Sequence, residues 1–122
     1  MLKNKTNLIL SILLICSFQL FGQGPVESTT KGGLWTSFST WKDKVVPAPG
    51  DNVLIKGPVK LILLTYANSI QIFSGGSLVP EKIESSTYKL YVANNLSNNG
   101  TISGYYKGGN NGRNLEIFIG GN

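Results

Sequence analysis

The fold is decided by residues 35–55, which read WTSFSTWKDKVVPAPGDNVLI. This stretch contains both tryptophans of the chain and, after them, a turn flanked by proline. Pro49 and Gly50 suit the two central positions of a type II turn, because proline fixes its own φ and glycine accepts the positive φ that follows. In the strand predicted at 53–55, alternate side chains face opposite sides, so Val53 and Ile55 share one face. The stretch therefore predicts a turn that starts a β core.

Short apolar segments separated by glycine, asparagine and proline follow this turn. In one of them Ile70 and Ile72 alternate with Gln71, which gives that strand a single buried face. Other segments alternate in the same way, and the chain carries 15 glycines but only 14% charged residues, which favours strands and tight turns over helices. We therefore predict an all-β protein with strands at 53–55, 59–64, 69–73, 88–93, 101–103 and 115–119.

The spacing of these segments indicates a repeat. Ile72, Val92 and Ile117 are separated by twenty and twenty-five residues, a rough period that fits one solenoid coil per repeat. Gly75-Gly76 and Asn98-Asn99-Gly100 supply corners that tolerate unusual backbone angles. A β-sandwich of antiparallel hairpins would show the same alternation, so it stays open as the alternative.

The opening stretch resembles the eight-glycine domain and the similar N-terminal modules of large secreted bacterial surface proteins, clients of type IX secretion. These modules begin with a tryptophan pair and a Pro-x-x-Gly-Asp-x-Val-x-Ile turn, and the segment Asn98-Asn99-Gly100-Thr101-Ile102 resembles the turn that they repeat between strands. The resemblance covers about residues 34 to 121. It implies the N-terminal, incomplete part of a right-handed parallel β-helix on an extracellular protein, usually without a catalytic residue in this segment. The matching residues are Trp35, Thr40, Trp41, Pro47, Pro49, Gly50, Asp51, Val53 and Ile55.

The first 23 residues are a predicted secretory signal peptide. Lys3 and Lys5 form a positive n-region, residues 8–21 an apolar h-region, and Gly22-Gln23-Gly24 the exit. The apolar run of about fourteen residues is shorter than the roughly 20 that a membrane-spanning helix needs. Cys16 does not fit a lipobox, because Ile15 before it is not small and the apolar run continues beyond it. We therefore expect a secreted or cell-surface protein that is cleaved near Gly22 to Gly24 and has no stable membrane span.

The composition of the remaining chain excludes several classes of function. The sequence has no histidine and one cysteine, which lies in the leader. Disulfides, thiol nucleophiles, histidine bases and Cys/His zinc sites are thereby excluded from the mature chain. Without the two leader lysines, nine basic residues stand against six acidic ones, a net charge of +3. These charges are scattered, so we predict no nucleic-acid partner.

The mature chain divides into a predicted flexible linker at 24–33 and a cap with a partial solenoid at 34–122. Trp35 and Trp41 could form a platform that stacks on a glycan. The alternative is that they cap the open end of the first coil, since repeat arrays need atypical terminal units. Tyr105 and Tyr106, in a polar insertion at 103–114, are further candidates for glycan contact, with a mobile surface loop as the alternative.

The carboxylates do not form a persuasive catalytic or metal-binding set. A glycosidase needs two of them on either side of a sugar, and calcium takes six to eight oxygen ligands. Glu81 and Glu84 are close in sequence but fit a solvated corner, and Asp51 fits a turn cap. We therefore predict no catalytic residue, metal or cofactor. The acids considered are Asp43, Asp51, Glu81, Glu84 and Glu116.

Together these features predict a non-catalytic structural or adhesive module of a secreted cell-surface protein, with extracellular polysaccharide or other surface proteins as partners. The alternative is the N-terminal part of a polysaccharide-degrading β-helix lyase or hydrolase whose active site lies beyond residue 122. The sequence stops at Gly120-Gly121-Asn122, directly after a strand and without a closing cap, so we expect a longer parent protein. We also expect the open edge of the strand at 115–119 to promote self-association.

Overall fold

The computed structural model describes residues 24–81, 87–104 and 115–120. Within these ranges the protein is all-β, as predicted, with eleven strands and a single 3₁₀ turn at Phe38–Thr40. The strands are short, between two and five residues each. They are β1 (Val26–Glu27), β2 (Gly33–Leu34), β3 (Asn52–Ile55), β4 (Pro58–Leu61), β5 (Leu64–Ala67), β6 (Ser69–Ile72), β7 (Ser77–Pro80), β8 (Tyr88–Val92), β9 (Leu96–Asn98), β10 (Thr101–Ile102) and β11 (Leu115–Ile119).

These strands form three sheets in which every ladder between described strands is parallel. Sheet 1 has the order β1-β3-β6-β9, sheet 2 the order β2-β4-β7-β10, and sheet 3 the order β5-β8-β11. From β3 onward, three successive strands enter three different sheets and the fourth returns beside the first. The antiparallel hairpins of the sandwich alternative do not occur among the described strands.

The core is built from inward-facing side chains that stack on their partners in the next strand of the same sheet. In sheet 1, Val53 pairs with Ile70 and Ile55 with Ile72, and all four are buried. In sheet 2 a valine at the centre of β4 pairs in the same way with a buried leucine of β7. Each buried side chain of this size stabilises the fold by about 1.5–3 kcal/mol relative to leaving it exposed.

The strand pairing corrects the repeat that we predicted. Ile72 lies in sheet 1 whereas Val92 lies in sheet 3, so the two do not stack. Val92 pairs instead with Ala67 on one side and Ile119 on the other. The interval from Ile72 to Val92 therefore compared strands of different sheets, because β7 between them had been missed. The interval from Val92 to Ile117 did compare strands of one sheet, since β8 pairs with β11.

The alternation of β6 and β8 follows the prediction, whereas in β11 Ile119, predicted on the buried face with Leu115 and Ile117, is 53% exposed. The predicted strand at 59–64 covers parts of two strands, β4 and β5. In β5 the apolar residues Leu64 and Tyr66 are exposed, while Thr65 and Ala67 are buried. The buried hydroxyl of Thr65 is satisfied because it donates a hydrogen bond to the carbonyl of Ile62 at 3.3 Å. Because large apolar residues lie on the outer face of β5, the sequence pattern did not indicate which of its side chains face the core.

The segment 24–33, for which we expected a flexible linker, instead contains β1 and the first residue of β2. β1 pairs with β3, and beyond it the hydroxyl of Ser28 accepts a hydrogen bond from the backbone N–H of Lys56 at 2.8 Å. Strands of two residues are too short to show alternation, and they form here because a longer strand provides the partner edge.

The turn before β3 is present, but it is not type II. The N–H of Asp51 donates to the carbonyl of Ala48 at 3.0 Å, which places Pro49 and Gly50 at the centre of the turn. Gly50 is not among the residues with positive φ, which a type II turn requires at that position. The turn is stabilised instead by the Asp51 carboxylate, which accepts a hydrogen bond from the N–H of Ala48 at 2.8 Å.

Glycines occupy the corner between sheets 1 and 2, as the sequence predicted for Gly76 and Gly100. Gly75 has a φ of 89° and so adopts the left-handed conformation that favours glycine. Gly57, Gly76 and Gly100 precede β4, β7 and β10, and at each of them a Cβ atom would overlap a backbone carbonyl. This corner therefore requires glycine because neighbouring backbones approach too closely for a side chain.

Candidate functional site

The two tryptophans proposed for glycan contact lie inside the protein. Trp35 is 3% exposed and Trp41 0%, and their rings meet edge to face with centroids 5.1 Å apart. The indole N–H of Trp41 donates to the carbonyl of Trp35 at 2.8 Å. Buried rings cannot stack on a sugar without leaving their places, so this arrangement favours the cap alternative. Tyr105 and Tyr106 lie outside the described residues.

An exposed aromatic row on the outer face of sheet 3 was not found from the sequence. Tyr66, Tyr91 and Phe118 are register partners in β5, β8 and β11. Their rings are nearly parallel, with centroids 5.1 Å and 4.8 Å apart. Stacked rings cover each other's faces and present mainly their edges, so each pair stabilises the stacking of strands by about 0.5–1.5 kcal/mol. The row is therefore a poor platform for sugar stacking, although Tyr66 and Phe118 are each 45% exposed.

A shallow groove of about 340 Å³ crosses the outer face of sheet 1. We call it the sheet 1 groove. Most of its exposed surface is apolar, and its polar residues are uncharged. The residues that line it are Pro25, Asn52, Val53, Leu54, Ser69, Ile70, Gln71, Asn95 and Ser97.

A row of asparagines runs along the corner between sheets 3 and 1. The amide of Asn68 donates to the side-chain oxygen of Asn52 at 2.8 Å, and the amide of Asn94 donates to that of Asn68. Each side chain in this row thus satisfies its neighbour across adjacent strands. Such a ladder holds the strands in register, and the polar groups of these residues are largely committed to it.

Glu27 holds an ion-pair cluster beside the first strand. Its carboxylate contacts the ammonium groups of Lys56 and, at 3.5 Å, Lys42. The Lys56 ammonium also lies 5.1 Å from the ring centroid of Phe73. The hydrogen bond from Lys56, reinforced by the charge of Lys42, lowers the pKa of Glu27 below its ordinary value, although partial burial opposes the shift. The cluster thus ties β1 to the segment after β3.

This lowered pKa predicts a pH-dependent contribution to stability. A carboxylate with a depressed pKa stabilises the folded state fully above the ordinary pKa, and the contribution is lost as the pH falls through the folded pKa. We expect Glu27→Gln to lower the free energy of unfolding by less than about 1 kcal/mol at neutral pH. The difference from the wild type, measured by urea unfolding, should shrink as the pH falls from the ordinary carboxyl pKa through the lowered pKa of Glu27.

The matched control for this series is Glu116→Gln, at an exposed carboxylate that makes no ion pair with a described residue. Its unfolding free energy should follow that of the wild type across the same pH range. If Glu27→Gln lowered the free energy of unfolding by the same amount down to the lowest pH, the ion-pair explanation would be contradicted.

The remaining carboxylates are not gathered into a site within the described ranges. Asp51 is engaged in its turn, Glu116 is exposed on sheet 3, and Glu84 lies outside the described residues. In residues 24–81, 87–104 and 115–120, no three acidic, histidine or cysteine side chains are placed to hold a metal ion. The same ranges contain no helix with the length and hydrophobicity needed to cross a membrane.

Comparisons of the chain with protein families, curated proteins and solved structures give no match. The resemblance to the eight-glycine domain therefore stays a prediction that depends on the motifs of residues 35–55.

Proposed function

We propose that this chain is a non-catalytic structural or adhesive module of a secreted cell-surface protein, built as part of a right-handed parallel β-helix. The observation that carries the proposal is the order of the strands. From β3 to β11 the chain visits sheets 1, 2 and 3 in turn and repeats this circuit, with every ladder parallel. A chain that winds in this way generates stacked coils.

The right-handed winding of the proposed coil is expected from a general rule of strand connections. β3 and β6 are parallel neighbours that are connected through β4 and β5 in the other two sheets. Connections between parallel strands of one sheet are right-handed in about 98% of cases, because the twist of the strands favours that path. The same argument applies to β6 and β9.

A coil stack suits a structural or adhesive role because each coil packs only on its neighbours and the array can be extended. Stability comes from apolar rows inside, so no disulfide is needed. The outward side chains form long, regular surfaces along the stack, which is useful for binding an extended partner. The predicted signal peptide at residues 1–23 supports an extracellular setting for such a module.

The strand register gives a direct test of the coil. Lys60 and Val79 are partners in β4 and β7, with outward side chains. Neighbouring strands lie about 4.8 Å apart, within the range that a disulfide spans. We expect a full-length Lys60→Cys, Val79→Cys variant, with Cys16 changed to serine, to form an internal disulfide on mild oxidation. Peptide mass spectrometry would detect the link.

The control variant combines Lys60→Cys with Glu116→Cys. Because residue 116 lies on sheet 3 and residue 60 on sheet 2, these two cysteines should stay reduced. Equal cross-linking of both pairs, or none in the first, would contradict the coil. The same protein should turn over no polysaccharide. Turnover that Glu81→Gln abolished would instead favour the β-helix lyase or hydrolase alternative.

A further inference from the structure

We propose that the sheet 1 groove binds an uncharged polysaccharide chain, with Gln71 and Ser97 as hydrogen-bonding groups and Leu54 as an apolar contact. This inference deepens the proposed adhesive function and depends on it. It names both the surface and the chemical class of ligand.

The first support is a set of polar side chains without a role in the fold. Ser69, Gln71, Asn95 and Ser97 line the groove, and their side chains make no hydrogen bond with any described residue. The last three are exposed. Amides and hydroxyls can each donate and accept hydrogen bonds, which matches the mixed donor and acceptor character of sugar hydroxyls. The neighbouring asparagine row differs because its amides bond to one another.

The second support is the linear arrangement of the groove. Leu54, Gln71 and Ser97 are register partners in β3, β6 and β9, so they form one row across three adjacent strands. Ser69, which pairs with Asn52, lies in a parallel row. Successive positions along these rows are about 4.8 Å apart. An extended polymer lying across the strands would meet one side chain of the row at each step, and several weak contacts add up to useful affinity.

The third support is electrical neutrality. No charged residue lines the groove within the described part of the chain. Glu27 pairs with Leu54 and so extends the row of Leu54, Gln71 and Ser97 by one strand. Its carboxylate, however, is paired with Lys56 and Lys42. Within the groove lining itself a charged polymer would find no counterion. A mostly apolar lining that carries a few uncharged polar side chains instead fits the mixed surface of a neutral sugar.

The test uses the full chain and affinity electrophoresis in gels that contain soluble glucan, mannan or galactan, with polygalacturonate and alginate as charged polymers. We expect retardation by at least one uncharged polymer and by neither charged one. The double variant Gln71→Ala, Ser97→Ala should bind about tenfold more weakly, since two hydrogen bonds are lost. Lys60→Ala is the control, because Lys60 is an exposed outward residue of the central sheet 2 strand β4 and should leave binding unchanged.

Circular dichroism of each variant establishes that the fold is retained. Absence of binding to every uncharged polymer, or preference for a charged one, would overturn the inference. So would equal weakening by Lys60→Ala. Failure of this inference is distinguishable from failure of the proposed function. The disulfide between positions 60 and 79 tests the coil, and the turnover assay tests the absence of catalysis. Neither experiment depends on sugar binding.

Discussion

Replacing Trp41 with alanine should lower the free energy of unfolding by about 3–5 kcal/mol, the usual cost of truncating a large buried aromatic residue. Trp41 is 0% exposed and packs edge to face on Trp35. Its loss would leave a cavity and would also remove the donor to the Trp35 carbonyl. The isolated backbone bridge between Ser28 and Trp41 would lose its support as well.

Urea unfolding followed by circular dichroism measures this change, since tryptophan fluorescence is itself altered by the substitution. Phe38→Ala is the control: Phe38 is 67% exposed in the same segment, so the change should stay within about 0.5 kcal/mol. Trp41→Phe retains most of the ring volume and should fall between the two. Unchanged stability of Trp41→Ala together with loss of glycan binding would favour the sugar platform over the cap.

The strands that could be predicted from sequence are those whose inward residues are the larger ones. Ile70 and Ile72 in β6, and Leu90 and Val92 in β8, are buried and alternate with more polar or exposed neighbours. In β5 the larger residues face outward, because Tyr66 packs on the ring of Tyr91 in the neighbouring strand β8 instead of in the core. Sequence alternation reports which residues are apolar, and it cannot distinguish a core row from an outer row stacked between strands.

The groove could not be predicted because it depends on which strands are neighbours. Gln71 and Ser97 are distant in sequence and are ordinary residues for the outer face of a strand. They form one row only because β6 and β9 are adjacent in sheet 1. The adjacency of β6 and β9 could be recognised only with β7 and β9 in place, and these two strands were missed because glycine, proline or asparagine bounds each of them. The tryptophan cluster, by contrast, was visible at once as a concentration of large apolar residues.

The second large effect is expected at the glycine corner. Gly76→Ala should lower the free energy of unfolding by about 1–3 kcal/mol or more, as for other substitutions that force atoms into an occupied space. The added Cβ would overlap the carbonyl oxygen of Ile55 and lie 3.1 Å from that of Phe73. Neither backbone can easily move away. The N–H of Gly76 donates to Phe73 at 2.8 Å, and its carbonyl accepts from Thr101 at 3.1 Å.

Gly50→Ala is the matched control, because it adds the same methyl group where no atom lies within 4 Å and where φ is not positive. That substitution should be neutral or should stabilise the protein by about 0.4–1 kcal/mol, since it reduces the freedom of the unfolded chain. The contrast isolates the close approach of backbones at the corner from the general effect of replacing glycine. Equal unfolding free energies for the two variants would mean that the backbones at this corner do not approach each other as closely as the structure shows.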